Sequence, residues 1–411
     1  MRVLVIGGGG REHALCLALA ADTAVTYLAA SPGNPGIAEV AEILQSASPL
    51  EAARAVNADL VVVGPEAPLV AGAADEMREA GFAVFGPSAA AGQLEGSKAF
   101  AKQVMADADV PTARHWVCET PEQLAAALDR VGPPYVVKHD ALAAGKGVVV
   151  TDDRTAAEAH ARGRRVVVEE FLDGPEVSLF CLTDGSTVVP LQPAQDFKRV
   201  GDGDAGPNTG GMGAYSPLPW TPPGLVDEVV KTVAQPTVDE MAARGTPFSG
   251  LLYVGLALTS DGPRVVEFNA RFGDPETQVV LPLLLTPLAG LLHACATGTL
   301  NSAPPLEWRD EAAVIVVIAS DGYPSSPRTG DVITGVDAAN EVDGVAVLHA
   351  GTATDGPGRL VTAGGRVLGV RAVAPDLGTA RDRAYRAVDR IHIEGAHHRR
   401  DIAAAAAAGA R

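Results

Sequence analysis

Residues 3–6 form an unbroken apolar run of strand length, which passes through the glycines at 7–10 into a stretch of helical spacing over 12–21. A run that is apolar on both faces fits a strand buried in a parallel sheet, and a glycine turn into a helix makes it the start of a βα unit. Further apolar runs at 25–29, 60–63 and 83–85 alternate with helical stretches. Residues 1–99 are thus predicted to form a small doubly wound domain on a parallel sheet.

From 100 to 308 the pattern is mixed. Strands are expected at 135–138, 147–151, 165–171, 179–183, 187–192, 251–258 and 264–268, with a helix over 223–244. Residues 309–411 repeat short strands and Gly/Pro turns and end in an alanine-rich tail expected to fray. The fold class is α/β and α+β in three divisions, on a length that suits roughly two to four domains.

Composition narrows the partners. A formal net charge of -18 repels nucleic acid and anionic membrane, so any phosphate ligand must be held by local cations and backbone amides. Of only six lysines, Lys98, Lys138, Lys146 and Lys198 fall in motif-like segments. Cys16, Cys118, Cys181 and Cys295 lie far apart with no CxxC pair, as expected of reduced thiols. With no apolar run of about 18 residues and no leader-like start, a cytoplasmic location is expected.

The segment RVVEFNARFGDPE, residues 264–276, carries the strongest chemistry. Strand side chains alternate faces, so Glu267 and Asn269 point the same way. Two hard oxygen ligands followed by Arg271, Asp274 and Glu276 suit a magnesium-bound polyphosphate. An isolated Glu-x-Asn pair would equally fit the wet face of an amphipathic strand. Three other segments add to it. ALAAGKGV at 141–148 is a loop of small residues with a lysine, but no Ser or Thr follows the lysine as a Walker loop requires. VVVEEFL at 166–172 joins a strand to a turn, where main-chain groups can meet an adenine edge and Glu169 and Glu170 are either ligands or solvated edge residues. The glycine-rich stretch 194–215 holds Asp196, Lys198 and Arg199. At the N-terminus, Glu12 stands where a dinucleotide fingerprint needs its third glycine, which disfavours NAD but leaves helix amides for an anion.

LVIGGGGREHAL, SPGNPG, VVGPEAPLVAG, QLEGSKAFAK, LAAGKGV, EEFLDG, QDFKRVGDGDAGPNTGGMGAYSP and EFNARFGDPETQ together resemble the glycinamide ribonucleotide synthetase family of the ATP-grasp superfamily, nearly end to end. The resemblance implies an N-terminal domain, an ATP-grasp core with a small inserted lid at about 112–172, and a C-terminal domain. It implies ligation of glycine to 5-phosphoribosylamine with ATP and Mg2+ or Mn2+, through glycyl phosphate, in purine synthesis. Lys98 and Lys138 would contact ATP phosphates, and Ala143, Ala144, Gly145, Lys146 and Gly147 would cover them. Glu169, Glu170, Phe171 and Leu172 would hold adenine, and Glu176 the ribose. Glu267 and Asn269 would ligate metal, and Arg271 would stabilise developing charge. Asp196, Lys198 and Arg199 would orient glycine or its acyl phosphate. Gly8, Gly9, Gly10, Arg11, Pro32, Gly33 and Asn34 would receive the sugar phosphate, and Asp274, Pro275 and Glu276 would line the substrate side.

Four departures from the family pattern stand out, one of them the loop before Ala143, which reads His139-Asp140-Ala141 where the family tends to show Ala-Asp-Gly. The segment 150–165 is short, which puts a lid helix and the grip on ATP in question. Phe197 stands where a histidine is common, and residues 250–255 supply no acid for a third metal ligand. The oligomeric state, monomer or dimer, stays open. Two other readings remain: an ATP-grasp ligase for a different acid or amine, separable by glycine dependence of ADP release, and a nucleotide sensor that binds ATP without releasing phosphate.

Overall fold

The computed structural model describes residues 1–142 and 147–409. Strands β1 (Arg2–Gly7), β2 (Tyr27–Pro32), β3 (Glu42–Ile43), β4 (Leu60–Val63) and β5 (Val84–Phe85) form a parallel sheet in the order β3-β2-β1-β4-β5. Helix Gly10–Ala20 follows β1 directly. Glu12 explains the failed fingerprint: its carboxylate accepts the Gly9 N–H at 2.6 Å and so caps the helix, filling space that Gly7 and Gly64 leave by lacking a Cβ.

A second sheet, order β6-β9-β7-β8, is built from β6 (His115–Cys118), β7 (Tyr135–His139), β8 (Val148–Thr151) and β9 (Val166–Glu169). Helices Pro121–Val131 and Arg154–Ala161 pack on it around Cys118, Leu128, Val137 and Val168. The short segment that put a lid helix in question does form one, N-capped by the Asp153 side chain on the Thr155 N–H at 2.8 Å.

The chain continues through β10 (Glu176–Asp184), β11 (Val188–Pro190), β12 (Gln195–Asp196), β13 (Arg199–Gly201), β14 (Ala205–Asn208), β15 (Gly213–Ser216), β16 (Ser249–Thr259), β17 (Gly262–Asn269), β18 (Ala312–Ala319), β19 (Val345–His349), β20 (Thr352–Thr354), β21 (Leu360–Thr362) and β22 (Arg366–Ala374). Strands β11-β10-β16-β17 make an antiparallel sheet, and β12-β15-β18-β22-β19 make another. The latter joins two strands from the glycine-rich stretch to three from the C-terminal division, so a sheet spans positions 195–374. Pairs β13-β14 and β20-β21 are separate two-stranded ribbons.

The helix expected over 223–244 is interrupted. Pro236 has no N–H to donate one turn back, and the backbone widens through a π turn, Val230–Ala234, between helices Leu225–Val229 and Gln235–Ala243. The alanine tail does not fray within the described residues. Ile402, Ala403 and Ala406 are buried, and Ala404–Ala407 is helical beside helix Leu377–Val388. Among the described residues no helix is long and apolar enough to cross a membrane.

Candidate active site

A cleft of about 750 Å3 opens over the β16-β17 ribbon and is walled by the β6-β9-β7-β8 sheet, the N-terminal domain and the glycine-rich stretch. Glu267 and Asn269 both line it, as strand alternation requires. Glu267 is paired with Gly255 and Asn269 with Tyr253. A Cβ on Gly255 would meet the Glu267 carbonyl oxygen at 3.2 Å and its Cγ at 3.4 Å, so glycine here gives the carboxylate its room. Burial would raise the Glu267 carboxyl, but Lys198, Lys138, Lys98 and Arg271 outweigh it and hold the group below the usual carboxylate range. No cluster of three His, Cys, Asp or Glu side chains is arranged for a metal among the described residues. An ionised carboxylate beside one carboxamide nevertheless suits a magnesium ion that keeps waters and takes phosphate oxygens.

Arg271 is braced from behind. Its Nη2 lies 2.9 Å from Glu95 Oε1 and its Nε 3.4 Å from Glu66 Oε2, while Glu95 also accepts the Ala270 N–H at 2.7 Å. Arg11 reaches the same corner, donating to the Phe272 carbonyl at 2.9 Å. Glu66 and Glu95 sit in GPEAP and QLEGS, where nothing local in the sequence signals a partnership with Arg271.

Glu169 lines the cleft and is not a solvated edge residue. Its carboxylate is buried between Lys138 Nζ at 3.0 Å and Lys102 Nζ at 3.2 Å, so it neutralises two ammonium groups. Lys102 also donates to Thr112 Oγ1 at 2.7 Å, and burial pushes its ammonium down to about 8 despite Glu169. Sequence reasoning passed over Lys102, although it lies four residues beyond Lys98, one turn along the same helix Lys98–Asp107. Lys98, Glu170, Phe171 and Leu172 line the cleft, Phe171 with its ring half exposed. The Glu170 side chain turns outward to Arg114 and Arg264. Gly147 lines the cleft, whereas Ala143, Ala144, Gly145 and Lys146 lie outside the described residues.

On the opposite wall Lys198 Nζ is 2.6 Å from Glu176 Oε2. Burial alone would lower Lys198, but Glu176 and Asp196 hold it charged. Asp196 is pushed up to about 7, first by burial and then by Glu276, Glu176 and Glu267, with Lys198 opposing. Glu276 is turned inward, its Oε1 accepting from Tyr253 OH at 2.9 Å and Ser178 Oγ at 3.1 Å. Arg199 lines the cleft and donates to the Gly206 carbonyl at 2.8 Å.

The expected sugar-phosphate residues divide. Arg11 lines the cleft, as does Asp274, expected on the substrate side. Asn34 is a bracket: its Nδ2 donates to the carbonyls of Gly8 and His349, both at 2.9 Å, and its Oδ1 accepts the Ile37 N–H. Pro32 ends β2, and the Gly33 N–H donates to the Gly7 carbonyl at 3.1 Å, with a φ of 68° that favours glycine. Gly8 packs on Gly33, Gly9 and Gly10 face Asp274, and Pro275 packs on Gly211. Arg366 of β22 donates to the Asp274 carbonyl at 2.7 Å, tying this corner to the C-terminal sheet.

Family comparison agrees along the whole chain. Residues 1–95, 96–277 and 313–405 match the N domain, the ATP-grasp (A) domain and the C domain of phosphoribosylglycinamide synthetase. The phosphoribosylamine–glycine ligase of Streptomyces coelicolor is 67% identical over 99% of this chain and 100% of its own length, and that of Mycobacterium leprae is 55% identical over 100% and 99%. The crystal structure of the Thermotoga maritima phosphoribosylamine–glycine ligase superposes with a TM-score of 0.85 at 33% identity, covering 98% of this chain and all of the other. The chain therefore belongs to the phosphoribosylglycinamide synthetase family, the ATP-using carbon–nitrogen ligases of ATP-grasp fold named for joining phosphoribosylamine to glycine.

Proposed function

We propose that the cleft takes ATP, glycine and 5-phosphoribosylamine and makes glycinamide ribonucleotide through glycyl phosphate. A glycine carboxylate oxygen attacks the γ-phosphorus of ATP, ADP leaves, and the carboxyl carbon becomes a good acyl centre. The sugar amine then attacks that carbon, phosphate departs, and the nitrogen loses a proton as the amide forms. Such transfers depend on positioning and on charge stabilisation more than on covalent help from the protein.

Lys98, Lys138 and Arg271 would hold the phosphates, Arg271 with the fork that Glu95 and Glu66 orient. Glu267 and Asn269 would hold a Mg2+ or Mn2+ ion, which supplies charge neutralisation to the triphosphate when bound. Lys198 and Arg199 suit the glycine carboxylate, and Asp196 its ammonium group. Arg11 and the loop of Gly8, Gly9 and Gly10 suit the sugar phosphate, whereas Asp274, held ionised against burial by Arg366 and Arg11, suits hydroxyl or amine donors of the substrate. Action in the cytoplasm accords with four buried cysteines, all free.

The observation that carries this reading is that Lys198, Lys138, Lys98 and Arg271 all bear on one ionised Glu267 in one cleft. Phosphate release, scanned over small amino acids with the sugar amine and Mg2+ present, is expected to require glycine. Glu267→Gln should cut that release on the order of a hundredfold or more while ATP affinity falls far less. Rapid release with another acid in place of glycine, or full activity in Glu267→Gln, would refute it.

A further inference from the structure

Arg399 stands 200 residues from Arg199 in sequence, yet its Nη1 donates to the Arg199 carbonyl at 3.2 Å. The side chain is 1% exposed. Its Nε and Nη2 donate to the two Asp401 oxygens at 2.7 and 2.6 Å, its Nη1 also donates to Asp204 Oδ1 at 2.6 Å, and its Cζ lies 4.8 Å from the centroid of the Phe197 ring. Phe197, the departure from the family pattern, therefore offers its ring to a guanidinium. Two neighbours reinforce the contact: Asp401 Oδ2 accepts the Gly203 N–H at 2.8 Å, and the Arg400 N–H donates to Asp202 Oδ1 at 2.7 Å.

The other end of this segment is moored. Arg381 donates to the carbonyls of Arg400 and Ile402 at 2.7 and 3.1 Å, and Tyr385 OH donates to the Arg399 carbonyl at 2.8 Å and accepts the Ile402 N–H at 3.1 Å. Both belong to helix Leu377–Val388, which packs on β18 and β22. The β13-β14 ribbon that the segment grips needs such support, because it joins no larger sheet and residues 202–207 are exposed.

We propose that residues 399–401 are a strap holding the limb of the cleft that carries Asp196, Lys198 and Arg199, and that Arg399 is a positioning residue for the amino-acid substrate. The proposal rests on the reading above that Lys198 and Arg199 bind that substrate. Arg399 acts through the Arg199 backbone and the Phe197 ring and touches no reacting atom.

The experiment is steady-state kinetics on the full chain, with KM for glycine and for ATP measured separately and folding checked by thermal melting. Arg399→Ala is expected to raise KM for glycine on the order of tenfold with KM for ATP within about twofold, because misplacing a binding group weakens only the ligand it orients. Arg399→Lys, which keeps the charge without the fork, should fall between. Asp204→Asn, at an exposed carboxylate, should shift glycine in the same direction by less and serves if Arg399→Ala does not fold. Unchanged KM for glycine in folded Arg399→Ala or in Asp204→Asn, while Arg199→Ala raises it, overturns the strap and leaves the site reading intact. An equal rise for glycine and ATP overturns it as general damage. If Lys198→Ala and Arg199→Ala both leave KM for glycine unmoved, the site reading itself fails and the strap with it.

Discussion

Asp196 shows how one side chain can be costly to the fold and useful to the reaction. It is crowded by burial and by Glu276, Glu176 and Glu267, with Lys198 opposing them, so its carboxyl is pushed up to about 7. If Asp196 receives the glycine ammonium, it must be ionised. The kcat/KM for glycine should then rise with pH through a limb centred near 7, and Asp196→Asn should flatten that limb and lower activity by about tenfold or more. The stability effect has the opposite sign. A carboxyl raised above its unfolded value near 3.8 contributes stability that is complete below that value and is lost as pH rises through about 7. Asp196→Asn removes the loss, so its melting temperature above pH 7 should match or exceed that of the parent by on the order of 2 °C. A pH–rate limb that survives in Asp196→Asn would exclude this residue as its source.

Between elements, the triad Lys102–Glu169–Lys138 pins the lid to the core. Lys138 belongs to β7 and Glu169 ends β9, both in the lid sheet, whereas Lys102 lies on helix Lys98–Asp107. Lys138 Nζ also donates to the Val266 carbonyl on β17 at 2.8 Å, beside Glu267. Removing the central carboxylate would leave two buried ammonium groups uncompensated. Glu169→Ala should therefore destabilise by about 3–5 kcal/mol, more than Lys102→Met, which leaves Glu169 paired with Lys138. Melting the two variants side by side measures the order, and the reverse order would mean the triad does not bear the load. The sequence made much of this region readable, since strand alternation put Glu267 and Asn269 on one face and apolar runs located β1, β4, β7 and β16. What escaped were groups whose partners are distant in sequence. Nothing near Glu95 signals that Arg271 will meet it 176 residues later, nor does anything local single out Arg399. Lys102 was within reach, one helical turn from Lys98. The alanine tail was misread because composition alone does not report that Ile402 and Ala406 find a buried face.

At the scale of the whole molecule, the N-terminal domain meets the C-terminal sheet through two histidines. The His349 backbone N–H donates to His13 Nδ1 at 2.8 Å, the two rings meet edge to face with centroids 5.8 Å apart, and Asn34 grips the His349 carbonyl. A Cβ on Gly36 would meet the His349 ring at 2.7 Å, so a glycine there lets the rings close. As an acceptor at Nδ1, His13 must be neutral. Burial, then His349 and Arg371, push it down to about 3, and burial pushes His349 down to about 4. Both histidines titrate near 6.5 when unfolded, so the stability their neutrality contributes is complete above that pH and is lost as pH falls toward 4 and then 3. The melting temperature should therefore fall between pH 7 and pH 4.5. In His13→Asn, whose amide oxygen can still accept the His349 N–H but cannot be protonated there, the fall should be shallower. The same helix that carries His13 begins at Gly10 and carries Arg11, which lines the cleft, so an acid-weakened junction should also displace the loop proposed for the sugar phosphate. Parallel acid profiles for the parent and His13→Asn would show that the junction does not depend on this ring and would assign the acid sensitivity to other groups.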